Sequence, residues 1–279
     1  MVSRRDWLSA ATARLVEAGC EDAAFDARCL LEDLGGMPRG HAADDTPLTA
    51  EQETALNAAL TQRADGRPLQ YILGQWEFLN LTLKVGEGVL IPRPDTELLC
   101  EVAAEQLRDK TAPRVLDLCA GSGCVGLGVA SLHPDALVTE VELSDAALPY
   151  LQANVLRYPD YAVTVRQANV LTDYSAFDGP YDAILSNPPY IPTADLPALQ
   201  REVRQEPQMA LDGDADGLTF YRTIAEHWCE KLAPNGFVAV EVGIGQAADV
   251  AALFAAKGLE NTAIFTDLGG VDRVVLARK

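Results

Sequence analysis

The stretch Val115-Leu116-Asp117-Leu118-Cys119-Ala120-Gly121-Ser122-Gly123-Cys124-Val125-Gly126 constrains the fold more than any other part of the chain. An apolar strand-like run enters a glycine turn that opens a helix, which is the first half of a βαβ unit. Strand-like runs fall at 114–118, 136–142, 162–167, 181–186 and 236–242, with helical segments between them. One of these, at 218–232, carries Leu218, Tyr221, Ile224, Trp228 and Leu232 on a single face. The alternation predicts an α/β fold with a doubly wound, mostly parallel sheet. The pattern breaks at the end: 261–265 and 273–277 flank Asp267-Leu268-Gly269-Gly270, which predicts an antiparallel pair.

The chain ahead of this region reads differently. Residues 1–74 are predicted as a small helical bundle: Ser3 and Asp6 start one helix, with Trp7, Leu8, Ala11, Leu15 and Ala18 at helical spacing. Phe25, Cys29, Leu30 and Leu34 mark a second helix that stops at Gly35-Gly36, and Thr49 with Gln52 opens a third. Residues 75–91 predict a short hairpin or extended linker, and Ile91-Pro92-Arg93-Pro94-Asp95 a rigid connection. The remainder, 92–279, is expected to be the catalytic domain.

Net charge is −19, from 22 Lys and Arg against 41 Asp and Glu. A broad nucleic-acid footprint needs a basic surface that this balance opposes, so no direct nucleic-acid partner is expected. The six cysteines, Cys20, Cys29, Cys100, Cys119, Cys124 and Cys229, lack metal-ligand spacing, so they are read as apolar fillers in a reducing compartment and no metal is expected. His41, His133 and His227 have no partners at ligand or triad spacing and are given structural or surface roles. The first residues lead straight into a helix without an apolar signal core, and no apolar run approaches a membrane span. A cytoplasmic protein without membrane association is expected.

Glycines at a strand-to-helix turn let a ligand approach the main chain and free N–H groups at a helix N-terminus. Glu142 ends the next strand, where a carboxylate can accept from both hydroxyls of a ribose. Gly121, Gly123 and Gly126 also satisfy the G-x-G-x-x-G pattern, so the turn alone does not choose between a dinucleotide and S-adenosylmethionine. Asp117 favours the second, because an acid there can meet an ammonium and would repel a pyrophosphate.

Asn187-Pro188-Pro189-Tyr190 stands at the carboxyl end of the 181–186 strand, the edge where open α/β sheets bind ligands. Two prolines hold the backbone, and Tyr190 offers a flat face to a planar group. An amide or aromatic-amine nitrogen is a poor nucleophile because its lone pair is delocalised. Two acceptors, the Asn187 side-chain oxygen and the Pro188 carbonyl, can hold its N–H bonds and turn the lone pair toward an electrophilic methyl. Asn187, Pro188 and Tyr190 are therefore the candidate catalytic residues.

With these motifs the chain resembles the release factor glutamine N5-methyltransferases. The resemblance covers essentially the whole sequence: Pro68 to Gly74, Val89 to Glu97, Asp117 to Gly123, Asn187 to Tyr190, Glu241-Val242-Gly243 and Asp272-Arg273-Val274-Val275. It implies a Rossmann-like, seven-stranded class I methyltransferase domain behind a small N-terminal helical domain that positions the substrate, joined by the hairpin. It implies S-adenosyl-L-methionine as methyl donor and the glutamine of the Gly-Gly-Gln loop of peptide chain release factors as acceptor. By position, Asp117, Cys119, Ala120, Gly121, Ser122, Gly123, Glu142, Asn169, Val170 and Asn187 face the cofactor, and Asn187, Pro188, Pro189, Tyr190 and Arg93 the substrate. Two positions depart from the usual pattern: Glu142 and Asn169 each stand where the family has Asp. Asn169 can accept from an adenine amino group, or turn its NH₂ toward a ring nitrogen.

Arg93 is open to two readings, a charge facing substrate or cofactor and an anchor paired with Asp95 or Glu97. Residues 206–217 are either a lid or wall of the site or a plain surface loop. Two rival activities share the motifs: an adenine-N6 methyltransferase, since a flipped adenine amine suits the same acceptors, and a dinucleotide oxidoreductase, for which no hydride-transfer acid/base pair is evident.

Overall fold

The computed structural model describes residues 2–279, and the chain divides into two compact units. The first comprises the chain up to Gly74 together with Gln200–Gln205. Ser3 caps helix α1 (Arg4–Glu17) by accepting the Asp6 N–H at 3.1 Å, and Trp7, Ala11 and Leu15 form its inward face. Helix α2 (Ala23–Leu34) turns Ala27, Leu30 and Leu31 inward. Phe25, expected on that face, is instead 52% exposed, because the buried stripe runs through positions one helical step away. Thr49 and Gln52 form a reciprocal capping box for α3 (Ala50–Ala64), which buries Leu56, Ala59 and Leu60. A short helix α4 (Leu69–Leu73) ends on left-handed Gly74.

Inside this unit Arg63 is buried, with Nε 2.6 Å from Asp26 Oδ2 and Nη1 2.8 Å from Glu202 Oε1. The fork of the guanidinium thus ties the distant segment Gln200–Gln205 to α2 and α3.

The second unit begins with an antiparallel hairpin, β1 (Gln75–Phe78) and β2 (Leu81–Lys84). Then come α5 (Pro94–Leu107), β3 (Arg114–Leu118), α6 (Cys124–Leu132), β4 (Leu137–Glu142), α7 (Leu148–Arg157), β5 (Ala162–Gln167) and β6 (Tyr181–Ser186). After 3₁₀ turns, α8 (Thr219–Thr223) continues into a π-helical turn, Ile224–Trp228. Strand β7 (Leu232–Glu241), α9 (Ala247–Ala256), β8 (Glu260–Thr266) and β9 (Asp272–Arg278) complete it. The sheet has seven strands in the order β5-β4-β3-β6-β7-β9-β8. All pairs from β5 to β7 are parallel, and β9 inserts antiparallel between β7 and β8. This is a Rossmann-like methyltransferase fold.

Alternation along the central strands sends side chains to two separate cores. Leu116, Leu118, Ile184, Val238 and Val240 pack with Trp228 and Phe254 on one face. Val115, Ala183, Leu185 and Phe237 pack with Leu99 and Leu127 on the other, where hairpin residues Phe78, Leu81 and Leu83 join them. Neighbouring β3 and β6 are where the strand order reverses, so their carboxyl ends leave a crevice between outgoing connections. Among the described residues no helix is long and apolar enough to cross a membrane.

Candidate active site

The crevice is a cavity of about 350 Å³ at the carboxyl ends of β3, β4 and β6, a size typical of small-molecule sites. Its floor is the turn after β3. Cys119 there holds a left-handed φ of 62°, and Gly123 (φ 82°) is the N-cap of α6, a conformation that L side chains rarely adopt. Buried Asn154 on α7 fixes this turn from behind: its Nδ2 donates to the Ser122 carbonyl at 2.9 Å and the Lys84 carbonyl at 3.0 Å, while Oδ1 accepts from Lys84 N–H. One amide thereby joins the glycine turn to the hairpin.

Glu142 ends β4 on the cavity wall, 8% exposed. Its Oε2 accepts the Gly121 N–H at 2.7 Å, and Oε1 accepts from Leu143 N (2.8 Å) and Ser144 N (2.7 Å). Three backbone donors hold the carboxylate against the turn, so the longer side chain is drawn back to the rim. Cys119, Ala120, Gly121 and Ser122 line the cavity, as do Asn169 and Val170. Asn169 Oδ1 accepts the Leu171 N–H at 2.9 Å in an Asx turn, and Asp173 receives the Asn169 N–H. The Val170 carbonyl accepts from buried Trp228 Nε1.

Two cofactor candidates lie elsewhere. Asp117 is fully buried and does not line the cavity: its Oδ2 accepts the Gly126 N–H at 3.0 Å inside the first turn of α6, beneath the loop. Strand alternation turns it to the face of α6 and Glu140, beneath the glycine turn. Gly123 is also absent from the lining, because its position faces Leu151 and Leu127.

Asn187 follows β6 and lines the cavity, with Nδ2 donating to Thr96 Oγ1 at 3.1 Å. Ser186 Oγ pins the strand end to the Leu118 carbonyl at 2.7 Å. Pro189 lines the cavity, whereas Pro188 and Tyr190 do not. The Tyr190 ring is half-buried, with Cδ2 close to Gly243, and the Tyr190 carbonyl accepts from Gln246 Nε2. Burial pushes the Tyr190 hydroxyl up to about 12.

Arg93 lines the cavity and is anchored, but not by the acids expected of it: it pairs with Glu206, whose other oxygen accepts the Ile91 N–H at 2.9 Å. Asp95 pairs with Arg273 instead, and Glu97 accepts the Leu79 N–H. Glu206 thus holds the Ile-Pro-Arg-Pro segment to the start of 206–217, of which Pro207, Met209, Ala210, Asp212 and Asp214 form a wall of the cavity.

Thr96 and Glu241 had no role in the sequence reading, although both fall within quoted motifs. Thr96 lies in the first turn of α5, 1% exposed, with its hydroxyl oxygen accepting from Asn187, and Glu241 ends β7 2% exposed, its carboxyl pushed up to about 7 by burial. Only the meeting of three elements reveals them. His133 is bound to the Leu107 carbonyl and Asp135, and His227 stacks on Tyr174. Among the described residues no His, Cys, Asp and Glu cluster suits a metal.

A seven-stranded sheet of this order, with a glycine turn after its first strand and an acid ending the second, defines the chain as a Rossmann-like methyltransferase. Residues 6–74 match the PrmC N-terminal domain and residues 95–209 the methyltransferase small domain. The release factor glutamine methyltransferase of Geobacter sulfurreducens is 42% identical over 95% of this chain and 92% of its own. That of Rhodospirillum rubrum is 40% identical over 95% of this chain and 82% of its own. A methyltransferase from Pyrococcus furiosus, 16% identical, has the same fold over 72% of this chain and 90% of its own, with a TM-score of 0.52. The chain belongs to the release factor glutamine methyltransferase family.

Proposed function

We propose that this protein transfers a methyl group from S-adenosylmethionine to the side-chain amide nitrogen (N5) of the glutamine in the Gly-Gly-Gln loop of peptide chain release factors. The observation that carries this reading is that Asn187 opens onto the same cavity as the glycine turn and Glu142. The donor set fits the methyl donor: Glu142, held by three N–H groups, keeps one acceptor site on Oε2 for a ribose hydroxyl, and a Cβ built on Gly121 meets no atom within 4 Å. S-adenosylmethionine supplies a methyl carbon made electrophilic by its sulfonium.

The chain's own groups orient the acceptor. Asn187 Oδ1 and the Pro188 carbonyl accept the two N–H bonds of the glutamine amide, which favours a pyramidal nitrogen with its lone pair directed at the methyl carbon. As the nitrogen gains positive charge, both acceptors bind its protons more strongly, so the stabilisation is greater in the transition state than before it. No strong base is required before transfer. Arg93, Met209 and the wall around them shape the entrance. The N-terminal helical unit is assigned to positioning the release factor, and the cytoplasm, where translation ends, is the assigned compartment. The six unpaired thiols agree with it.

Mass spectrometry of the Gly-Gly-Gln peptide tests the reading after the full chain, S-adenosylmethionine and a release factor react, with duplex DNA in parallel. One added methyl on the glutamine is expected, lost in Asn187→Ala by about 10²-fold or more. Methyl on DNA adenine and none on the peptide would reverse the assignment.

A further inference from the structure

We propose that Asn154 is a positioning residue for S-adenosylmethionine: its one amide holds the glycine turn and the 88–93 segment, two walls of the cavity, in fixed relation before the ligand arrives. The inference rests on the reading of that cavity as the methyl-donor site.

Strands β1 and β2 form a two-stranded sheet, so β2 keeps one edge open to other partners. Alternate residues of an antiparallel strand turn both backbone groups away from the partner strand. In β2 these are Thr82 and Lys84, and α7 meets them with side chains. Tyr158, the C-cap of α7, accepts the Thr82 N–H at 2.7 Å and donates to the Thr82 carbonyl at 3.1 Å. Asn154, one turn earlier, accepts the Lys84 N–H at 2.6 Å on Oδ1 and donates to the Lys84 carbonyl at 3.0 Å from Nδ2. The register continues past the strand: a Cβ on Gly86 would overlap the Tyr150 hydroxyl, and one on Gly88 would lie 2.7 Å from Ala146 Cβ. Each step of four residues along α7 and its leading turn matches two along the extended chain, about 6.0 Å against about 6.8 Å.

Asn154 differs from Tyr158 in holding a third group. Its Nδ2 also donates to the Ser122 carbonyl, 2.9 Å away. The amide fits in one orientation only, because two of its partners are carbonyls and the third is an N–H. Asn154 and Ser122 are 0% and 2% exposed, so a Ser122 carbonyl without this donor stays buried and unpaired. Ser122 belongs to the turn that lines the cavity, and Lys84 stands four residues ahead of Gly88, where the 88–93 wall begins. Val85 and Val89 pack with Ala147 at the N-terminus of α7 in a buried cluster, which keeps this wall against the helix.

A turn released from Asn154 populates other arrangements. The apparent Kd of a ligand that needs the held turn then rises as the competent fraction falls. Once the ligand is bound the turn is in place, so the chemical step keeps its parental rate.

The test titrates the full chain with S-adenosylhomocysteine by calorimetry. Asn154→Asp keeps the shape but sets oxygen against both carbonyls, or a single proton between them when protonated. Its Kd is expected to rise about tenfold or more, as for one or two lost buried hydrogen bonds. With a release factor as substrate, KM for S-adenosylmethionine should rise in parallel while kcat stays within about threefold of the parent. Tyr158→Phe is the control: it opens the seam at Thr82 alone, so it should lower Tm and leave Kd within about twofold. Parental Kd in a folded Asn154→Asp, or an equal rise in Tyr158→Phe, overturns the proposal. If Asn154→Asp does not fold, amide exchange in the parent decides. Saturation with S-adenosylhomocysteine should slow exchange of the Lys84 N–H more than that of the Thr82 N–H; equal slowing, or none, overturns the proposal. A parent that binds no S-adenosylhomocysteine removes the cavity reading and this proposal with it, whereas equal binding by parent and Asn154→Asp removes the proposal alone.

Discussion

Asp117 and Glu140 stand opposite each other on the parallel strands β3 and β4, both fully buried, and burial favours a single proton held by the pair. The Gly126 N–H reaches Asp117 Oδ2, but Asp117 Oδ1 and both Glu140 oxygens have no other hydrogen-bond partner. Two buried carboxylates cannot both ionise side by side. Burial pushes Asp117 up to about 6, and burial together with the Asp117 charge pushes Glu140 well above the usual carboxylate range. The stronger upward push on Glu140 makes it the expected proton carrier, while Asp117 accepts the Gly126 N–H of the helix that begins at the glycine turn.

A stability profile follows from this pair. The folded chain keeps a proton on Glu140 that the unfolded chain releases above its ordinary value of 4.5, so stability falls as pH rises from there toward the raised folded value. Glu140→Gln supplies a permanent N–H donor to Asp117 and removes the titration. It should leave stability below pH 4.5 nearly unchanged and add about 1–3 kcal/mol at pH 8, the cost range of an unsatisfied buried polar group. Urea unfolding at the two pH values measures it; an equal shift at both would refute the shared proton.

Gly126 makes room for that carboxyl. A Cβ built there lies 2.6 Å from Glu140 Cδ, closer than packed atoms allow. Gly126→Ala should therefore destabilise by about 1–3 kcal/mol through overpacking, despite the gain in helix propensity. In the Glu140→Ala background the loss should shrink, leaving the 2.8 Å approach to Val138 Cγ1 as the remaining overlap. A double-mutant cycle by thermal unfolding reads the coupling, and simple additivity would mean that the two sites do not collide.

Arg93→Ala leaves Glu206 buried with the Ile91 N–H as its remaining partner. Arg93 is itself about one-third exposed, so the loss is discounted to about 1–2 kcal/mol rather than the full value of a broken buried pair. The wall that Glu206 anchors should loosen with it, raising KM for the release factor more than it lowers kcat. Steady-state kinetics separate the two, and an unchanged KM would detach the wall from substrate binding.

Asn169 uses Oδ1 for the Leu171 N–H, so the end of its amide left for the cavity is a donor. Opposite an adenine amino group, a donor is mismatched. Asn169→Asp keeps the Asx turn and presents a second oxygen, and should tighten S-adenosylhomocysteine by about 3- to 10-fold, up to about 1.4 kcal/mol. Calorimetric titration checks it; weaker binding would place Nδ2 against a ring nitrogen instead.

The βαβ alternation, the glycine turn, Glu142 and Asn187 were readable in sequence because each is a local statement. Period, turn chemistry and the end of a strand are properties of a few successive residues. Phe25 was misplaced because a short helix with small residues offers two overlapping stripes, and only packing chooses between them. The place of Asp117 beneath the turn was hidden for a related reason: a strand beside a glycine turn has two faces, and sequence did not show which one the acid takes. One of the two readings of Arg93 paired it with a nearby acid, but its partner Glu206 lies 113 residues away.

What the amino-acid order determined by itself was the class of fold, the carboxyl edge of the sheet where the cavity opens, and several of the residues that line it. Tertiary structure alone decided how those residues are held: Thr96 behind Asn187, Asn154 behind the glycine turn and Glu206 under Arg93. Each of these is a hydrogen bond between side chain and partner far apart in the chain. Their energy depends on distance, burial and the absence of water, none of which exists until the strands and helices have packed.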